Sequence, residues 1–187
     1  YRPPLASRTP GNRIVTGRVS EMDRAAFLEH FGGVYEHSPW IAEQVFDTGL
    51  GPLTDTSSGL SSAMREVVDQ AGQEPQRLLL RAHPDLAGRL AVSGGLTAAS
   101  SAEQAGAGLD QCTPEEFSAF TELNTRYSEK FGFPFIVAVR GLDRAGILDR
   151  FRQRVEHDQD TEFNEALSQV HRIARLRIDD VFAQIRT

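Results

Sequence analysis

Apolar positions in this chain recur mostly at three- and four-residue steps, the spacing that lines one face of an α-helix. The carboxyl-terminal segment shows it most fully, with Phe163, Leu167, Val170, Ala174, Ile178, Val181 and Ile185 on one stripe. Start and stop signals predict further helices. Ser20 followed by Asp23 reads as an N-cap opening "MDRAAFLEHF" before the Gly32-Gly33 stop. Ser38-Pro39 reads as a capping hydroxyl with proline at the first helical position, leading "WIAEQVF". Helical spacing returns from Ser57 to Ala71. Thr97 caps a small-residue helix beginning at Ala98, Thr113-Pro114-Glu115-Glu116 starts one that runs to Gly132, and Asp160 or Thr161 opens the last.

"FPFIVAV", Phe133 to Val139, departs from that spacing. Its β-branched content suits a strand, yet no second convincing strand exists to pair with it, and a lone strand leaves backbone groups unsatisfied. The expectation is an all-α, single-domain helical bundle over 14–187 with a non-regular apolar segment near 132–140. Residues 1–13, "YRPPLASRTPGNR", are rich in proline and polar side chains and read as a flexible arm.

Composition narrows the function classes. A chain of 187 residues suffices for one buried core. Its net charge of −6 argues against a nucleic-acid surface, which needs a concentrated basic face. The single cysteine, Cys112, allows no internal disulfide, although its place beside a predicted N-cap could lower its pKa. No apolar run reaches membrane-spanning length, so a cytoplasmic protein is expected.

Four positions stand out chemically. His83 lies between "LLLRA" and Pro84, which disfavours helical backbone at the residue before it, so the imidazole sits on a corner. It is either a turn histidine bonded to its own backbone or a general acid–base. Ser100, Glu103 and Gln104 share one face of a helix otherwise made of alanine and glycine, which is either a solvated stripe or a surface a ligand can approach closely. Arg177 falls within the apolar stripe of the last helix, whereas Arg172 and Arg175 lie off its centre. An arginine facing a core needs an anion, from the protein or from a ligand. Asn124 has a similar place among Phe117, Phe120, Tyr127 and Phe131 and reads as a supporting group. His30, His37, His157 and His171 lack the i,i+4 pairing of a helical zinc site, so no metal is expected.

Four motifs in order, "VYEHSPW", "RAHPDLAG", "SSAEQAGAGL" and "KFGFPFIVAVRG", resemble the OHCU decarboxylase family from about Ile14 onward. The resemblance implies an all-helical, cofactor-free enzyme, a homodimer, that converts a small ureidoimidazoline to (S)-allantoin in urate breakdown. It implies catalytic roles for His83 and Glu103. It implies substrate contacts from Pro84, Ser100, Gln104, Phe135, Ile136, Val137 and Arg177, with Arg175 as the competing arginine. Glu36, His37 and Trp40 belong to the pocket or to the dimer. The alternative is a non-catalytic helical module that binds a ureide or a protein partner.

Overall fold

In the computed structural model, which describes residues 17–88 and 95–186, eight α-helices carry the chain. They are α1 Arg24–Phe31, α2 Trp40–Thr48, α3 Ser57–Gln70, α4 Gln73–Arg81, α5 Ala98–Gly106, α6 Pro114–Phe131, α7 Arg144–Arg154 and α8 Gln159–Ile185. No strand occurs among the described residues, so the all-α expectation holds. The arm expected at 1–13 lies outside the described residues. None of the helices described is long and apolar enough to cross a membrane.

The caps show why the helices begin where they do. Asp23, Thr56, Thr97, Asp143 and Asp158 each accept a hydrogen bond from a backbone N–H in the first turn of the helix they open. Thr113 and Glu116 cap α6 reciprocally, and Gly132, at φ 76°, ends it in the left-handed conformation. Three predicted starts move. Asp23 caps α1, while Ser20 is drawn away to Asp55, which accepts from both its N–H and its hydroxyl. Ser38 donates to the Glu36 carbonyl rather than capping α2. Asp158 takes the α8 cap ahead of Asp160 and Thr161 because its carboxylate accepts from Thr161 N–H and hydroxyl together.

The long helix α8 packs against α1, α3, α4 and α6. Its buried face carries Ala166, Leu167, Val170, Ile173, Ala174, Ile178, Phe182 and Ile185, while Phe163 and Val181 sit at the stripe's half-buried edge. The Phe31 and Phe182 rings meet at 5.8 Å, tying α1 to the end of α8.

Phe133 to Val139 runs as buried, irregular chain, as expected. Side chains from later helices replace the absent partner strand. Arg154 Nη1 donates to the Ile136 carbonyl at 2.6 Å, and Gln169 accepts from the Ala138 N–H at 2.9 Å. Phe135 stacks on Phe151 with centroids 3.9 Å apart, and the Arg154 guanidinium lies 4.4 Å from the Phe135 ring centre. Arg154 is itself buried and needs a counter-charge, which is Glu162 in the first turn of α8. Glu162 accepts from Arg154 Nε at 2.8 Å, from the Tyr127 hydroxyl and from His157 Nδ1 at 2.9 Å. Burial, reinforced by Glu162, pushes the Tyr127 phenol pKa well up.

Removing one member of a buried pair strands the other. Glu162→Ala is expected to cost about 3–5 kcal/mol in urea unfolding, because Arg154 then stays buried with no carboxylate. A loss below about 1 kcal/mol would show that the pair is not what holds the Phe133–Val139 segment.

Candidate active site

The histidine corner starts where α4 stops. The Ala82 and His83 N–H groups still reach back into the helix, and the chain then leaves through Pro84. Two helices secure the stretch beyond the proline. Asn124 of α6 donates to the Leu86 carbonyl at 2.9 Å. Gln104 of α5 accepts from the Ala87 N–H at 3.1 Å and reaches the Asp85 carbonyl at 3.5 Å. Ala87 is held at φ 49°, a conformation that alanine adopts only when its surroundings require it. His83 is therefore aimed from a fixed backbone.

The ring is buried at 9% exposure, and its Nε2 meets no hydrogen-bond partner among the described residues. Burial pushes the His83 pKa down to about 4; the Glu36 carboxylate opposes that shift, and Arg177 and His37 add to it. At neutral pH His83 is thus an uncharged base with an available nitrogen.

The polar face of α5 turns inward rather than toward solvent. Ser100 and Gln104 are buried, and the Glu103 side chain is 24% exposed. Arg177 faces them from α8. Its Nε and Nη2 donate to the two Glu103 oxygens at 2.7 and 2.9 Å, a fork-on-fork pair. Nη1 donates to Glu36 at 2.8 Å and to the Val34 carbonyl at 3.5 Å, and Nη2 also reaches the Ser100 hydroxyl at 3.3 Å. All five guanidinium N–H groups are engaged. Burial disfavours the charge on Arg177, but the hydrogen bonds and charges of Glu103 and Glu36 outweigh it and raise its pKa. Arg175 pairs instead with Asp179, one turn along at the surface.

His83, Pro84, Ser100, Glu103, Gln104, Phe135, Ile136, Val137 and Arg177 all line one cleft. The cleft encloses about 30 Å³, room for roughly one water. A second cavity of about 470 Å³ opens on the far side of Glu103 and Arg177, bordered also by Glu29, His30, Val34, Arg140 and Asp180. The Glu103–Arg177 pair is the wall that both cavities share. Hydrogen bonds among the described residues leave the Phe135 and Val137 backbone groups unengaged.

Sequence reasoning left one contributor undecided. Glu36, at 1% exposure, accepts from Arg177 and, at 2.7 Å, from the Thr97 hydroxyl. Those contacts hold its carboxyl below the usual range despite burial, which works the other way. The signal was its place in "VYEHSPW", but no periodicity points inward in a loop. Trp40 packs half-buried against the core. Cys112 departs from expectation, because burial and the adjacent Glu116 carboxylate raise its thiol pKa and Sγ contacts the Leu109 carbonyl. Among the described residues no three His, Cys, Asp or Glu side chains gather as metal ligands.

Known proteins are similar to this chain in sequence and fold. The family model described as OHCU decarboxylase matches residues 20–179. A 2-oxo-4-hydroxy-4-carboxy-5-ureidoimidazoline decarboxylase of Haloferax volcanii is 42% identical over 172 residues, covering 92% of this chain and 98% of that protein. A crystal structure of (S)-allantoin synthase superposes with a TM-score of 0.69 at 31% identity, over 87% of this chain and 52% of the solved one. A crystal structure of OHCU decarboxylase in the presence of (S)-allantoin gives a TM-score of 0.62 over 80% of this chain and 95% of its own. At 23% identity that likeness speaks for the fold alone.

The depressed His83 pKa makes folding pH-dependent with a defined sign. As pH falls from about 6.5, the unfolded imidazole takes up its proton first, so stability drains away until the folded ring titrates near 4. Wild type is expected to lose roughly 3 kcal/mol more than His83→Gln between pH 7 and pH 4, measured by urea unfolding at each pH. Parallel loss in the two proteins would mean that the ring is not held neutral.

Proposed function

The chain belongs to the OHCU decarboxylase family, and on that premise we propose that it decarboxylates 2-oxo-4-hydroxy-4-carboxy-5-ureidoimidazoline to (S)-allantoin in urate degradation, with His83 as the proton-transferring group. The observation that carries this reading is the shared cleft, which a buried imidazole with an unpartnered Nε2 lines together with the fixed Glu103–Arg177 pair.

The reaction needs three things from the protein. Carbon dioxide leaves a ring carbon that bears a hydroxyl group and neighbours a carbon–nitrogen double bond, into which the remaining electron pair delocalises. The site must orient the ring, exclude water, and move a proton on one face. Neutral His83 is suited to take the hydroxyl proton and to deliver a proton to the neighbouring carbon, which fixes the hand of the product.

The cleft is too small for a bicyclic-sized ureide, so the substrate extends past the shared wall, with its ureido arm toward the larger cavity. Arg177 reaches it by exchanging its two longest contacts, to Ser100 and Val34, for a ureido or ring oxygen, where negative charge grows. Glu103 stays on Arg177 and accepts from ureido N–H groups. Ser100 and the free backbone groups of Phe135 and Val137 bind the heterocycle, with Ile136 and Pro84 packed against it. Gln104 borders the ring and holds the corner that carries His83. Clamping the departing carboxylate with Arg177 would stabilise the ground state and slow its loss, which disfavours that arrangement. A homodimer and a cytoplasmic location belong to the same proposal.

Freshly generated substrate, followed by absorbance and optical rotation, tests the function: an enzyme gives fast, one-handed product, and a mere binder leaves slow racemic decay unchanged. His83→Ala is expected to lower kcat about 10²–10⁴-fold. Near-wild-type turnover would refute its role. Arg177→Ala is expected to lower kcat as well as raise KM, and a change confined to KM would reject the charge-stabilising contact.

A further inference from the structure

Two of the acceptors on Arg177, the Val34 carbonyl and the Glu36 carboxylate, come from the loop between α1 and α2. A loop keeps such groups in place only if something fixes its backbone. Tyr35 lies between them and reaches a different residue. Its side chain is buried, and its hydroxyl meets Nδ1 of His171 at 2.8 Å, with the two rings edge to face at 5.9 Å. His171 sits on α8 six positions before Arg177, about 9 Å away along the helix axis. The loop therefore grips one helix at two levels, through Tyr35 on His171 and through Val34 and Glu36 on Arg177. The grip spans a tight bend: the Ser38 N–H closes back on the Tyr35 carbonyl at 3.1 Å, and His37 takes φ 47°.

The surroundings assign the roles within the pair. His171 Nε2 has no hydrogen-bond partner among the described residues and lies 3.5 Å from Asp69 Oδ1 of α3. A proton on Nε2, facing that carboxylate, leaves Nδ1 as acceptor and the Tyr35 hydroxyl as donor. Burial pushes the Tyr35 pKa well up, so the phenol keeps its proton. Burial also lowers the His171 pKa, with Arg65 adding to the shift and Asp69 opposing it, which keeps the ring neutral. Neither side chain borders the cleft or the larger cavity.

We propose that Tyr35 and His171 are positioning residues for the reaction: their hydrogen bond clamps the loop that carries two of the acceptors on Arg177, and so fixes the guanidinium that meets the substrate. This rests on the reading of Arg177 as a substrate contact. Tyr35→Phe removes one hydroxyl and keeps the ring in the core. It is expected to lower kcat/KM about tenfold, the worth of one buried hydrogen bond. In an Arg177→Ala background the same change is expected to lower kcat/KM less than about twofold, because the clamp then has nothing to hold. Equal losses in the two backgrounds overturn the proposal. His171→Asn keeps an acceptor near the place of Nδ1 and is expected to retain most of the activity that His171→Leu loses. Equal activity in those two variants also overturns it.

Exchange of the arginine Nε–H groups with water, followed by NMR on nitrogen-labelled arginine, gives a readout independent of turnover. The Arg177 signal is assigned by its loss in Arg177→Ala, and Arg154, buried in the other polar cluster, serves as the internal control. In Tyr35→Phe, exchange at Arg177 is expected to quicken about tenfold while Arg154 stays unchanged. No change at Arg177, or an equal rise at both arginines, overturns the proposal. Should Tyr35→Phe not fold, the same comparison between His171→Asn and His171→Leu decides it. A wild type that turns over no substrate defeats the decarboxylase reading, while the exchange comparison still decides whether Tyr35 and His171 hold Arg177.

Discussion

A guanidinium with every N–H committed is the constraint around which this molecule is arranged. Arg177 is 7% exposed, and a cation at that depth persists only if each donor finds an acceptor. The network joins three separate stretches of chain: Val34 and Glu36 in the loop after α1, Ser100 and Glu103 on α5, and the arginine itself on α8. Meeting that demand brings the "VYEHSPW" loop and the small-residue helix onto one wall. Thr97 contributes twice, as cap of α5 and as donor to Glu36.

Around that wall, rigidity is distributed by chemistry. The histidine corner is pinned through backbone carbonyls and amides by Gln104 and Asn124, which leaves the imidazole Nε2 with no hydrogen-bonding duty of its own. The irregular Phe133–Val139 segment is pinned in the same manner by Arg154 and Gln169. In both places a polar side chain does for the backbone what a helix or sheet would otherwise do. The side chains and remaining backbone groups that face the cleft are thereby left available. A site that works by orientation and proton placement depends on this kind of preorganisation.

Much of this was legible in residue order because the underlying physics is local. The stripe on α8 exposed Arg177 as an intruder, and its departure from Arg175 followed from helical phase alone. Pro84 marked the corner, and the lack of a partner strand marked the irregular segment. What escaped was non-local. Ser20 looks like a cap until Asp55, 35 residues away, claims it. Glu36 sits in a loop, where no period distinguishes an inward side chain from an outward one. Gln104 lines the cleft, but its amide also reaches across to the corner, a contact that depends on where two distant segments meet. Helix α7 also went unanticipated, since its capping Asp143 and charged sequence give little apolar rhythm.

One helix spans both polar clusters. Glu162, in the first turn of α8, holds the irregular segment through Arg154, and Arg177, fifteen positions later, holds the opposite wall. At about 1.5 Å of rise per residue the two lie about 22 Å apart along a stiff rod, with facings about 60° apart after just over four turns. That rod acts as a ruler between scaffold and cleft. Adding or deleting one residue anywhere between these marks would swing Arg177 by about 100° away from the cleft. The interval from Glu162 to Arg177 is therefore a fixed dimension of this architecture.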